Sequence, residues 1–232
     1  MGIRNILFDL DNTLLDFNKA ERKALTGTLQ ELGITPSETI FQRYSQLNLA
    51  QWKLLEQEKI TRNQVKVRRY QLLFDELGVD CSARKAAQIY ERYLGIGHFF
   101  VDGAEALLED LSLNYRLYLV TNGTASVQKG RIQSAKIERF FNGIFISEEI
   151  GFDKPNKAFF DHCFLQIPDF QKEETILVGD SLSSDIQGGK NAGIATVWFN
   201  PSHMEKDYPI LPDYEIQTLA ELTNLLERGP LS

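Results

Sequence analysis

The feature that most restricts what this chain can fold into is a short apolar run near its start, Ile6-Leu7-Phe8, cut off by Asp9 and Asp11. Consecutive apolar residues without polar alternation read as a strand buried on both faces, the habit of parallel sheets. Asp9 then stands at the strand's carboxyl end, where open α/β sheets form their ligand crevices. Asn12 and Thr13 turn the chain away from strand structure. Two carboxylates spaced i, i+2 at a buried strand end repel each other and lose water, so a cation or a shared proton has to offset them.

Behind this strand the rhythm becomes helical. From about Lys19 to Gly97 apolar residues recur at helix spacing: Leu25, Leu29 and Leu32, then Phe41, Tyr44 and Leu47, with Trp52 and Leu55 continuing that helix or starting another. Gly33 and Gly78 are placed as helix stops, Ser37 and Ser82 lie at helix starts, and Thr61 with Gln64 reads as a capping box. From Val101 strands and helices alternate. Strands are expected over 115–121, 143–147, 175–179 and 195–199, the last clear one. Helices are expected over 104–111, 126–135, 185–191 and 219–226, with another opened by Pro155 and reaching Leu165. The stretch 201–212 reads as a surface loop.

Alternation of this kind predicts an α/β fold: a Rossmann-like parallel sheet core from residues 1–15 and 99–232, with an α-helical cap, residues 16–98, inserted after the first strand. In a parallel sheet the strand ends share one edge. That edge collects Asp9 and Asp11, then Thr121 and Asn122, then Lys154 from the loop after the third strand, then Asp180 with Asp185 five residues on.

Composition narrows the function. The net charge is −7 with no block of Lys and Arg, which argues against a nucleic-acid polymer as partner. No apolar run approaches the ~20 residues of a membrane helix, and the first run ends at once in Asp9 rather than in a signal-peptide pattern. Cys81 and Cys163 lie far apart and read as reduced core thiols of a cytoplasmic protein. His98, His162 and His203 are isolated and read as surface or packing residues. No coiled-coil heptad or exposed apolar helix fixes an oligomeric state. A small phosphorylated metabolite remains open as partner, provided a metal or local cations offset its charge.

The ordered set Asp9-Leu-Asp11-Asn12-Thr13, Thr121-Asn122, Lys154-Pro155 and Gly179-Asp180-Ser-Leu-Ser-Ser-Asp185 resembles the haloacid dehalogenase (HAD) superfamily of phosphohydrolases with a helical cap of the first class (C1). Val120-Thr-Asn-Gly123, Ile146-Ser-Glu-Glu-Ile-Gly151 and Lys154-Pro-Asn-Lys157 are similar to its pyrimidine 5′-nucleotidase branch. The resemblance implies a Mg²⁺-dependent phosphomonoesterase with Asp9 as nucleophile and Asp11 as general acid and base. It implies metal ligation by the side chains of Asp9 and Asp180 and the backbone carbonyl of Asp11. Asp185 is either a ligand, a holder of metal-bound water, or an acid favoured at a helix N-terminus. Thr121 and Asn122 would donate to phosphoryl oxygens, and Lys154 would neutralise charge and orient Asp9.

The cap would choose the leaving group, with Phe17, Tyr44, Asn48 and Trp52 as candidate walls for a nucleoside monophosphate. Alternatives on the same fold are a phosphatase of another metabolite such as a sugar phosphate, a phosphomutase, a phosphonate hydrolase using a cap lysine (Lys19, Lys23 or Lys53), a dehalogenase, and a non-catalytic binding protein. Asp11 argues against the dehalogenase, which needs no acid there.

Overall fold

A computed structural model of the protein describes residues 2–205 and 209–227. In chain order the elements are β1 (Asn5–Phe8), α1 (Phe17–Glu31), α2 (Glu38–Glu56), α3 (Arg62–Leu77), α4 (Ala83–Leu94), α5 (Ala104–Leu111), β2 (Arg116–Thr121), α6 (Ala125–Ala135), β3 (Gly143–Ile146), α7 (Ser147–Ile150), α8 (Lys157–Leu165), β4 (Thr175–Gly179), α9 (Gln187–Ala192), β5 (Ala195–Phe199), β6 (Tyr214–Ile216) and α10 (Ala220–Glu227). They form two compact units, Asn18–Gly97 and the remainder, Met1–Phe17 with His98–Ser232.

The larger unit is a parallel sheet of order β3-β2-β1-β4-β5-β6. Its central strands are buried on both faces, as the unbroken apolar runs required. Ile6, Phe8, Leu119 and Val178 join an apolar cluster with Leu107 and Leu108 of α5, Ile132 of α6 and Leu222 of α10. Leu7, Tyr118, Val120 and Leu177 face the other way, against Phe159, Phe160 and Cys163 of α8 and Ala192 of α9. The chain winds outward from β1 to β3, then returns to β4 on the opposite side of β1. The strand order therefore reverses between β1 and β4, the switch point where such sheets bind ligands.

Several local readings needed correction. β6 extends the sheet beyond the five expected strands; with three residues it carries too little pattern to be seen. Pro155 does not open α8. The Asn156 side chain accepts from Ala158 N at 2.9 Å and takes the N-cap, so the helix starts at Lys157 and Pro155 lies ahead of it, after a cis peptide bond. Asp185 lies in a wide helical turn, Leu182–Ile186, ahead of α9 rather than at an α-helix start. Trp52 continues α2. Cys81 is only half-buried, whereas Cys163 is in the core; both are free thiols. His98, His162 and His203 are exposed. Within the expected loop 201–212, residues 206–208 lie outside the described residues. Among the described residues no helix is long and apolar enough to cross a membrane.

The smaller unit is a bundle of α1–α4. Ser37, Thr61 and Ser82 cap α2, α3 and α4, and Thr61 with Gln64 forms the complete capping box. Its core carries three linked buried polar groups, Arg69, Asn48 and Glu21, the last of which also meets the exposed Ser45. Arg69 donates to Asn48 Oδ1 at 2.7 Å, Asn48 Nδ2 donates to Glu21 Oε1 at 2.8 Å, and Ser45 donates to Glu21 Oε2. Tyr44, Tyr70 and Tyr90 surround the guanidinium, with Arg69 Cζ 4.6 Å from the Tyr90 ring centre. Tyr44, a candidate nucleoside wall, is thus fully buried in the bundle, and Asn48 is committed to Arg69 and Glu21. A buried charge left alone is far more costly than a satisfied one. Arg69→Met is expected to destabilise this unit by about 3 kcal/mol. Amide hydrogen exchange checks it: protection should fall across α1–α3 while β1, β2 and β4 keep theirs.

Candidate active site

The site begins with the turn after β1. Asp9 N donates to Val178 O at 2.9 Å, so the ladder to β4 runs one residue past the strand and fixes the Asp9 main chain. Asn12 then adopts a left-handed conformation, φ 58°, which asparagine tolerates well. Its amide N donates to Leu15 O at 2.7 Å, and its side chain accepts from Phe17 N at 3.1 Å. Both contacts tighten the turn that carries Asp11.

Lys154 is the centre of the site. Its side chain is 1% exposed, and its Nζ donates to Asp9 Oδ1 at 2.6 Å, Asp185 Oδ1 at 2.7 Å and Val120 O at 2.8 Å. All three ammonium hydrogens are therefore used. Asp185 Oδ2 accepts from Ser181 N at 3.1 Å. Asp180 is held through its main chain, where Trp198 Nε1 donates to its carbonyl at 2.8 Å. Gly179 leaves room for this arrangement: a Cβ there would lie 2.3 Å from Asp185 Cγ.

Asn122 braces the loop that carries Lys154. Its side chain accepts from Lys154 N and donates to Lys154 O, each at 2.9 Å. These two bonds position the lysine and use one of the two Nδ2 hydrogens of the amide. Thr121 Oγ1 accepts from Gln128 Nε2 at 2.8 Å. Gln128 Nε2 also donates to Asp11 Oδ2 at 2.9 Å, and Arg131 pairs with Asp11 Oδ1. Thr13 Oγ1 lies 3.5 Å from Asp9 Oδ2, at the limit of a hydrogen bond.

The electrostatics are unbalanced. Burial pushes the Asp9 carboxyl up, Lys154 opposes that, and Asp185 and Asp11 add to it, leaving Asp9 at about 7. Burial, then the charges of Asp9 and Asp185, hold Asp180 well above the ordinary carboxylate range. Burial works against the Lys154 charge, but Asp185 and Asp9 outweigh it and raise its pKa. One ammonium thus does not neutralise the cluster. Asp9, Asp180 and Asp185 each present a ligand atom, and these atoms lie within 4.8 Å of one another. A set of clustered carboxylate oxygens with uncompensated negative charge is a fitting donor set for a hard divalent cation such as Mg²⁺.

Asp9, Asp11, Thr121, Asn122, Lys154, Asp180 and Asp185 all lie on the carboxyl edge of the sheet or in the loops leaving it. Asp9, Lys154 and Asp185 are joined directly, Asp180 lies among them, and Asp11 and Thr121 are joined through Gln128. Gln128, Arg131 and Trp198 were not singled out from sequence, and Gly179 was quoted there only as part of its motif. Gln128 and Arg131 share one face of α6 at i, i+3 spacing just after Thr121, a signal that was available. Nothing local marks Trp198, which acts from the neighbouring strand.

The chain matches the family model of haloacid dehalogenase-like hydrolases over residues 6–199. It is 40% identical to the pyrimidine 5′-nucleotidase PynA of Streptococcus pneumoniae, covering 100% of this chain and 98% of that protein. It is 31% identical to the pyrimidine 5′-nucleotidase YjjG of Escherichia coli, covering 95% and 96%. The crystal structure of YfnB from Bacillus subtilis bound to magnesium superposes with a TM-score of 0.93 at 38% identity, covering 97% of this chain and 99% of that one.

Gly179→Ala tests the packing of the acidic cluster. The new methyl must displace the Asp185 carboxylate, which shares Lys154 with Asp9. The Mg²⁺ concentration that half-saturates the thermal stabilisation of the protein is expected to rise at least ~10-fold, with an unchanged circular dichroism spectrum. An unchanged midpoint would show that Asp185 has no part in holding the cation.

Proposed function

The chain belongs to the haloacid dehalogenase-like hydrolases, and on that premise we propose that it is a Mg²⁺-dependent phosphomonoesterase that hydrolyses pyrimidine nucleoside 5′-monophosphates through an aspartyl-phosphate. The observation that carries the chemistry is the buried Lys154 ammonium shared between Asp9 and Asp185, beside Asp180 at the strand-order switch. The substrate class rests on the names of PynA and YjjG, similar to this chain over nearly their whole lengths. In this reading the α/β unit performs the chemistry and the helical unit is the cap that selects the leaving group.

Asp9 is the nucleophile. Lys154 fixes one of its oxygens, leaving the other for attack on phosphorus. As the Asp9–phosphorus bond forms and the ester bond breaks, Asp11 gives its proton to the departing oxygen. The leaving alcohol departs neutral and Asp11 is left as carboxylate. Asp11 then takes a proton from a water that attacks phosphorus, the bond to Asp9 breaks, and phosphate leaves with Asp9 and Asp11 restored. Thr121 Oγ1 accepts from Gln128 and donates to Asn122 O at 3.4 Å, a long bond that it would exchange for one to a phosphoryl oxygen. Asp9, Asp180, the main-chain carbonyl of Asp11 and, with one oxygen engaged by Lys154, Asp185 are the groups to hold Mg²⁺. When bound, the ion offsets the charge of a phosphate dianion brought up to a carboxylate.

Lys19, Lys23 and Lys53 are exposed, which gives a Schiff-base lysine no desolvated setting, and no observation favours the phosphonate reading. The aromatic candidates for the nucleoside wall reduce to Phe17 and Trp52, both half-buried, since Tyr44 is packed inside the bundle.

The test is phosphate release from a panel of nucleoside monophosphates and sugar phosphates, with Mg²⁺ and with EDTA. Uridine and thymidine 5′-monophosphates should be preferred, EDTA should abolish release, and Asp9→Asn should lower kcat more than ~1,000-fold. Preference for a sugar phosphate would keep the chemistry and reject the substrate class. Full activity of Asp9→Asn would reject the mechanism.

A further inference from the structure

We infer that Gln128 and Arg131 of α6 are positioning residues that hold the proton-transferring carboxylate, Asp11, and the phosphoryl-binding hydroxyl, Thr121, as one unit. The inference rests on the phosphatase reading and assigns tasks to two residues outside the strand-end motifs.

Four contacts define the arrangement. Arg131 pairs with Asp11 Oδ1. Gln128 Nε2 donates to Asp11 Oδ2 at 2.9 Å and to Thr121 Oγ1 at 2.8 Å. Arg131 Nη1 donates to Gln128 Oε1 at 3.1 Å. Both Asp11 oxygens are thereby tied, and both hydrogens of the Gln128 amide are used. The arginine fixes which way that amide faces, because its oxygen must point at the guanidinium and its nitrogen at Asp11 and Thr121.

Burial argues that this is more than packing. The Arg131 side chain is 0% exposed, while the Asp11 side chain it meets is 26% exposed. Withdrawing a guanidinium from water is costly, and an apolar side chain of similar volume would fill the same space more cheaply. Here the cation is set behind a carboxylate that still reaches solvent. The Arg131 Cζ also lies 5.6 Å from the Phe17 ring centre, which holds the guanidinium from another side. Space for Gln128 is set by Gly123, where a Cβ would lie 2.8 Å from Gln128 Cγ. The residue after Thr121-Asn122 is thus small because the glutamine crosses over it.

A carboxylate tied at both oxygens cannot swing among rotamers, so its reach toward the leaving oxygen is set in advance. Losing the tie should harm the step in which a proton reaches the leaving group, and harm it most where the leaving group needs that proton. The test compares kcat/KM, which reports events up to leaving-group departure, for two esters. Uridine 5′-monophosphate has an alkoxide leaving group that needs protonation, whereas the phenolate of p-nitrophenyl phosphate departs without it.

Gln128→Met and Arg131→Met should each lower kcat/KM for uridine 5′-monophosphate about 100-fold and for p-nitrophenyl phosphate less than about 10-fold. Arg131→Lys should recover part of the loss. Gln128→Met keeps the test open if the buried arginine proves necessary for folding. Equal losses on both esters, or no loss, with wild-type enzyme active, would overturn the positioning role and leave the phosphatase reading intact. Wild-type protein inactive on both esters would overturn the phosphatase reading and this inference with it.

Discussion

The structure of the site depends on one buried ammonium. Lys154 Nζ joins the carboxylate after β1, the carboxylate in the turn after β4 and a carbonyl near the end of β2. These come from three adjacent strands whose ends would otherwise bring negative charge together with nothing between. A lysine this deeply buried would ordinarily lose its proton; the two acids reverse that and keep it charged. The acids in turn are tolerated because the lysine is there. Removing either partner leaves an uncompensated buried charge, so the loop carrying Lys154 is bound to the sheet by electrostatics as much as by packing. Asn122 adds the second constraint: its amide brackets the main chain of Lys154, so the lysine is held at its backbone and at its tip.

The fold was legible in the sequence to the extent that its signals are local. An apolar run ended by an acid marks a buried strand and its exit, and β1 and β4 were each found that way, while the run of β2 ends in Thr121 and Asn122. Caps at Ser37, Thr61 and Ser82 are written in the residues that make them. Pro155 misled because a proline at a helix start competes with Asn156, and only the side-chain bond to Ala158 decides between them. β6 was missed because three residues joining a sheet edge are recruited by β5 rather than by their own propensity. The motif acids could be placed on one edge as soon as the sheet was known to be parallel. What those residues do to each other could not be read. The sequence shows the chemistry of Asn122 but not the loop that its amide braces. Trp198 and Gly179 gain their roles from neighbours across strands or around a turn, contacts that leave no periodic trace.

The two fully or nearly buried arginines among the described residues are accommodated in a related way. Arg69 reaches Glu21 through Asn48, and Arg131 meets Asp11 directly while also donating to Gln128, which touches the same carboxylate. A primary amide between a guanidinium and an acid has one acceptor end and one donor end, so it can sit there in only one orientation. The charges on either side select that orientation, and the amide dipole then adds to the attraction between them. In the helical bundle all members are buried, and the result is a core whose helices are held in one register by polar contacts. At the sheet edge the same device ends in a carboxylate that reaches solvent, and the fixed orientation is transmitted to a group that can meet a ligand. The difference between a structural network and a functional one lies here in whether the acid that the arginine and amide hold is itself buried, as Glu21 is, or reaches solvent, as Asp11 does.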